Sequence, residues 1–84
     1  MVEATFVKEL EGGAPYLDVV VLTASDGETW TSRKLGTVLG AVVQCNVNTD
    51  SVSPNVVITS GNLCTLNLNG ITDQTTTLIM YGLP

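Results

Sequence analysis

Three runs of β-favouring residues, separated by two turn-forming sites, fill residues 55–81 and constrain the fold more than any other feature. The turn sites are Ser-Gly-Asn at 60–62 and Asn-Gly at 69–70, where glycine and asparagine adopt positive φ at little cost. The runs are rich in Val, Ile, Leu and Thr, which suits a pleated, half-buried surface. The pattern predicts three short strands joined by tight turns, on which the remaining chain packs.

The first half of the chain contains the strongest single strand signal, at residues 16–24. Its run of valines places apolar groups on both faces, which is typical of a strand covered on two sides. Asp26-Gly27 then predicts a hairpin turn into a short strand that contains Trp30. Asp18 interrupts the apolar run, and we expect its carboxylate to face an edge of the sheet or solvent, because an unpaired aspartate is seldom buried.

Residues 38–49 alternate between apolar and polar side chains, which predicts a half-buried strand. Leu39, Ala41, Val43, Cys45 and Val47 share the face that we expect to point to the core. Glycines at 36 and 40 indicate a bend or a bulge near the start of this strand.

No helical period extends over a useful length, whereas strand signals recur at spacings of about 8 to 12 residues. The sequence therefore predicts an all-β fold, a small antiparallel β-sandwich or jelly-roll-like barrel of six to seven short strands. Residues 1–84 form one domain. Residues 1–11, whose patterning is weak, are expected to be an extended arm or an edge strand.

The apolar content is high for a chain of this length. Hydrophobic residues make up 44% of it and charged residues only 13%, more than a small monomer readily buries. We therefore expect another subunit to cover part of the surface, in a homo-oligomer for which a trimer is favoured. The contact residues expected from their weakly patterned or peripheral positions are Phe6, Val7, Leu10, Trp30, Ile79, Tyr81 and Leu83.

The charge balance argues against several classes of partner. The net charge is −5, with three basic residues and no histidine, so the clustered cations that bind nucleic acid or an anionic membrane are missing. No apolar run approaches the ~18 residues that span a bilayer. The amino terminus lacks the pattern of a signal peptide. We expect a protein made in the cytoplasm that stays there or leaves inside a larger particle.

Catalytic and metal-binding patterns are missing as well. Cys45 and Cys64 are too few for a zinc site, and are either buried thiols or partners in a disulfide between strands. Nucleophilic triads need an imidazole, and the sequence contains no histidine. Calcium would have to use the loop carboxylates Asp26, Glu28, Asp50 or Asp73, whose spacing does not resemble an EF-hand loop. Turn chemistry explains Asp26 and Asp73 without an ion. Neither an enzyme nor a cofactor is expected.

Four segments resemble the small decoration, or cement, proteins of tailed-bacteriophage capsids: SDGETW, KLGTVLGAVV, SGNLCTLNLNGITD and TTTLIMYGLP. The resemblance implies a β-sandwich or jelly roll that trimerises on the capsid and clamps neighbouring subunits. It implies the major capsid protein or another virion subunit as partner, and the virion as location, after synthesis in the host cytoplasm. By the same analogy, residues 2–11 would be an extended arm.

A second function remains open at this stage. Loops at one end of a small sandwich are suited to binding carbohydrate or a cell-surface ligand. Tyr16, Trp30 and Tyr81 are the aromatic residues that would form a sugar platform, although core packing or a subunit contact explains each of them as well. A hydrolase using paired carboxylates is a remote third alternative.

Overall fold

The β-favouring runs form seven strands and no helix in the computed structural model, which describes residues 2–11, 13–45 and 54–84. The expected all-β fold is therefore confirmed. The strands are β1 (Thr5–Glu11), β2 (Leu17–Ala24), β3 (Thr29–Thr31), β4 (Thr37–Cys45), β5 (Asn55–Ser60), β6 (Leu63–Asn67) and β7 (Gln74–Leu83).

Two sheets pack in a sandwich-like arrangement. One has the strand order β1-β2-β7-β4 and the other the order β3-β6-β5, and every strand pair is antiparallel. Alternate residues point into the space between the sheets, as the two-residue period of a strand requires. The most deeply buried apolar side chains there are Val20, Leu22, Trp30, Cys64, Leu66, Leu68, Leu78 and Met80.

The order of the strands differs from the predicted meander. β5 and β6 do form a hairpin, with Gly61 at φ 56° in its turn. β7, however, leaves that sheet and pairs with β2 and β4 of the other. The turn at Gly70, with φ 81°, reverses the chain but does not choose its next partner. β7 has apolar residues on both faces, so it suits the centre of the larger sheet.

The prediction that β2 and β3 form a hairpin at Asp26-Gly27 is also wrong. Gly27 has the positive φ that the turn needs, 84°, but β2 and β3 lie in different sheets. The turn is held instead by the β6–β7 connection, where the Asp26 N–H donates to the carbonyl of Ile71 at 3.0 Å. The Asp26 carboxylate in turn accepts a hydrogen bond from the Leu68 N–H at 2.9 Å. This turn therefore links the two sheets.

A bulge in β4 changes which residues face the core. The register against β7 shifts between Val38 and Gly40. As a result Val38 is buried, whereas Leu39, expected to point inward, is 64% exposed. Beyond the bulge the predicted alternation holds, with Ala41, Val43 and Cys45 packed against the core. The predicted end of this strand, residues 46–49, lies outside the described residues.

β1 is an edge strand of the larger sheet. Its register against β2 shifts twice, between Phe6 and Lys8 and again between Glu9 and Glu11. Just before β1, the Ala4 N–H donates to the carbonyl of Thr29 at 2.8 Å, which joins the beginning of the chain to the second sheet.

Candidate interaction surface

The outer face of the four-stranded sheet is the most apolar exposed part of the structure. β2 and β7 each present alternate residues outward, and their antiparallel register aligns these residues in rows across the sheet. One row joins Val19, Ile79 and Val42 from three adjacent strands. We call the outer face the set Leu17, Val19, Val21, Val42, Ile79 and Tyr81.

Solvent reaches this outer face to a substantial degree. Val42 is 57% exposed, Tyr81 53% and Ile79 36%, while the three residues from β2 are half-buried. No charged side chain from β2, β7 or β4 points outward here, and the remaining outward residues of these three strands are threonines, Leu39, Gly40, Gln44 and Leu83. The area is on the order of 300 Å², from three strands about 4.8 Å apart and roughly 20 Å of length. Apolar patches of this size on a monomer are often functional.

The outer face of the three-stranded sheet is different in character. Its outward residues are mostly threonine and asparagine, and they bond to one another across the strands. Thr59 and Thr65 share a hydroxyl–hydroxyl hydrogen bond of 2.6 Å, and the Asn67 side-chain amide donates to Asn55 at 2.9 Å. Polar cross-strand pairs of this kind are well suited to water. The apolar character therefore belongs to one side of the sandwich.

The ring of Tyr81 fits against the outer face because the residue opposite it is a glycine. Its ring lies over Gly40, the residue opposite it in β4, and occupies the space that a Cβ at Gly40 would need. Such covering of a strand glycine by a cross-strand aromatic ring also protects the backbone there. The ring is therefore fixed against the sheet as part of its surface.

Three of the predicted contact residues lie together on the apolar side. Ile79, Tyr81 and Leu83 alternate along β7, and Leu83 is 50% exposed. Val7 and Leu10 are exposed too, by 51% and 54%, but each lies at a bulge of β1. These two are therefore at the edge of the sheet and not in its outer face.

The other two predicted contact residues, Phe6 and Trp30, face inward. Trp30 is only 1% exposed, which corrects its expected peripheral position. Its ring stacks on Phe6 with centroids 5.8 Å apart, and the Arg33 guanidinium lies 4.4 Å from the Phe6 centroid and 4.8 Å from that of Trp30. The cation and Phe6 cover the indole, so Trp30 cannot form a sugar platform with Tyr16 and Tyr81.

Sequence reasoning missed the β2 and β4 members of the outer face, Leu17, Val19, Val21 and Val42. The signal was present in the valine run of β2, which was interpreted as a strand covered on two sides. The structure covers one side of β2 with the second sheet and leaves its other side open.

The two cysteines are free thiols in different environments. Cys64 is fully buried, and burial raises its pKa. Cys45 is only half-buried, so the expectation that both thiols are inaccessible fails for it. Burial also raises the pKa of Cys45, and a hydrogen bond with Thr76 partly opposes that shift.

Asp18 is buried, contrary to the expectation that it faces an edge of the sheet or solvent. Its exposure is 0%, because the alternation of β2 places it in the inward row with Val20 and Leu22. The Ser32 hydroxyl donates to Oδ2 at 2.9 Å, while Oδ1 has no hydrogen-bond partner among the described residues. The Ser32 oxygen also accepts from the Leu35 N–H at 2.9 Å. Asp18 and Ser32 therefore fix the loop that carries Arg33.

The acidic candidates for calcium take part in turn structure. Around Ser25, the Glu28 carboxylate accepts from the Ser25 N–H at 2.7 Å and the Asp73 carboxylate from the Ser25 hydroxyl at 3.2 Å. In the described ranges, histidine, cysteine and carboxylate groups form no cluster of three or more. Asp50 lies outside those ranges. Neither a pocket nor a helix long and apolar enough to cross a bilayer occurs in the described part of the chain.

Comparison with known proteins does not assign the chain to a family. No protein-family model matches it, and searches of curated proteins and of solved structures found no match.

Proposed function

We propose that this protein is a non-catalytic structural subunit that self-associates and stabilises a larger particle. The observation that carries the proposal is the outer face of the four-stranded sheet, apolar and uncharged across three strands although the opposite side of the sandwich is polar. Burying about 300 Å² of such surface at ~25 cal/mol per Å² gives on the order of 7 kcal/mol before the costs of association. A face of this kind is stabilised when another protein surface covers it.

The resemblance to capsid decoration proteins makes the proposal specific. The particle is a bacteriophage virion, and the partner is the major capsid protein or another virion subunit. The charge distribution is consistent with this role, because from residue 35 to the last residue the only charged side chains are Asp50 and Asp73. Protein-facing surfaces are depleted of charge at their centres in this way.

A matched pair of variants tests self-association. Val42→Lys places a charge in the outer face, and Val57→Lys places the same charge on the polar side of the sandwich. Both valines lie on strands at a sheet edge, with exposures of 57% and 51%, so neither change disturbs the core. Sedimentation equilibrium at micromolar concentration is expected to give an oligomer for the wild type and for Val57→Lys, and a smaller mass for Val42→Lys.

Two outcomes would contradict the proposal. A monomeric wild type at these concentrations removes self-association and favours the carbohydrate-binding alternative. Equal masses for wild type and both variants place the contact elsewhere. The genes beside this one add an independent test of the particle, since a capsid-protein gene is expected among them.

A further inference from the structure

The two edges of the four-stranded sheet are unlike each other. β1 carries two register shifts and the charged residues Lys8 and Glu9, features that keep an edge from pairing with another strand. β4 pairs with β7 without interruption from Gly40 to Cys45, and its whole length contains neither a charge nor a proline. Within the described residues its other edge has no strand partner.

Other edges in the described structure are partly closed. The short strand β3 is joined to the beginning of the chain by the Glu3–Thr29 bridge. β5 has a register shift between Ile58 and Ser60. Even the first part of β4 is occupied, because the Val38 N–H donates to the carbonyl of Gly61 at 3.0 Å. The uninterrupted edge is the part of β4 from Gly40 to Cys45.

We propose that a second copy of this chain pairs with this edge, β4 against β4 in antiparallel orientation, about a two-fold axis near Val42. The inference rests on the proposed function and names the partner in self-association. A two-fold contact joins identical surfaces, so the β4 edge of one copy meets the β4 edge of the other. Neither edge carries a charge, so no like charges meet there. Elsewhere, eight acidic residues against three basic ones favour repulsion between copies. The dimer replaces the trimer that the resemblance implies.

The area of the outer face supports this arrangement. One face of about 300 Å² against a partner buries roughly 600 Å² in total, below the ~1,000 Å² expected of a specific interface. Pairing through β4 makes one continuous sheet of twice the width and aligns the Val42 rows of the two copies. The joined face then offers on the order of 600 Å² on one side, which is the lower end of the size of a standard interface. The dimer is thus the unit that docks on the particle.

Disulfide trapping distinguishes edge pairing from face-to-face packing. In a Cys45→Ser background, Val42→Cys puts one thiol near the two-fold axis of each copy, with Cα atoms close enough for a disulfide. Ile79→Cys is the matched control, because it lies beside Val42 on the next strand of the same face. In the paired sheet two Ile79 positions are separated by three strand spacings, about 14 Å, beyond the ~7 Å limit for a disulfide.

The expected result is a dimeric wild type, efficient oxidation of Val42→Cys to a covalent dimer, and little or none for Ile79→Cys. Equal or greater cross-linking through Ile79→Cys would overturn edge pairing but leave self-association intact. A trimeric wild type would also overturn edge pairing and leave self-association intact. A monomeric wild type overturns both the pairing and the proposed function.

Discussion

The buried pair of Asp18 and Ser32 gives a sharp prediction about stability. Ser32→Ala removes the one donor that the described residues offer to the Asp18 carboxylate, together with the acceptor of the Leu35 N–H. A hydrogen bond to a charged group contributes about 1.5–3 kcal/mol, and an orphaned buried group costs about 1–3. We therefore expect Ser32→Ala to lower the free energy of unfolding by on the order of 3–4 kcal/mol. That is a large share of the total for a domain of this size, roughly 4–13 kcal/mol.

Asp18→Val is expected to behave differently, although it changes the other member of the same pair. It removes the carboxylate whose Oδ1 has no partner in the described part of the chain and leaves the Ser32 oxygen to accept from the Leu35 N–H. Replacing both partners of a buried hydrogen bond with apolar groups of similar shape can be nearly neutral. Asp18→Val replaces one of them and leaves the Ser32 hydroxyl proton without its acceptor, but it also removes the unpaired Oδ1, and the two effects oppose each other. The unfolding free energy should stay within about 1 kcal/mol of wild type or rise. In the Asp18→Val background, Ser32→Ala should cost less than it does alone.

Urea unfolding followed by Trp30 fluorescence measures these differences, since Trp30 is the single tryptophan and is buried. All variants are compared at one protein concentration, because self-association stabilises the folded state by mass action. If Asp18→Val proves as unstable as Ser32→Ala, the carboxylate contributes to stability as a satisfied group and the reasoning is refuted.

Further predictions concern a glycine, a cation and the two thiols. Gly82→Ala directs a Cβ into the carbonyl oxygen of Thr37 and should lower the unfolding free energy by about 1–3 kcal/mol in urea titration; a wild-type midpoint would contradict this packing. Arg33→Ala removes the cation from both aromatic rings and should cost about 1 kcal/mol, whereas no loss would mean that the stacking is energetically neutral. Burial raises the folded-state pKa of Cys45 and Cys64. The contribution of the two thiols to the unfolding free energy is therefore complete below about pH 8.5 and is lost as the pH rises through the raised pKa values. A reagent that labels Cys64 before Cys45 in the native state would contradict their burial.

The fold class and several inward rows could be predicted because they depend on local periodicity. Cys64, Leu66 and Leu68 share a face by alternation alone, and each has 0% exposure in the structure. Partner choice is not local, which is why β7 was placed in the wrong sheet. A strand with two apolar faces fits either sheet on pattern alone, and only the whole set of pairings decides.

Asp18 and Leu39 show a second limit of sequence pattern. Alternation along β2 already places Asp18 among the inward residues, but its polarity was given more weight than its position. Leu39 was assigned inward because unbroken alternation extended back from Ala41 places it there, whereas the bulge between Val38 and Gly40 interrupts that alternation. The glycine signal indicates a bulge without fixing its residue. The outer face was partly predicted through Ile79, Tyr81 and Leu83, whereas its β2 and β4 members needed the register between strands.

Hydrogen–deuterium exchange at low and high micromolar concentration tests most directly whether a second copy covers the β4 edge. Backbone amides from Gly40 to Cys45 that point away from β7 have no strand partner among the described residues of one copy and acquire one on pairing. Their exchange should therefore slow as the concentration rises, while the amides of β1, at the opposite edge, exchange at an unchanged rate. Exchange in β4 that is independent of concentration, or new protection confined to β1, would contradict the pairing.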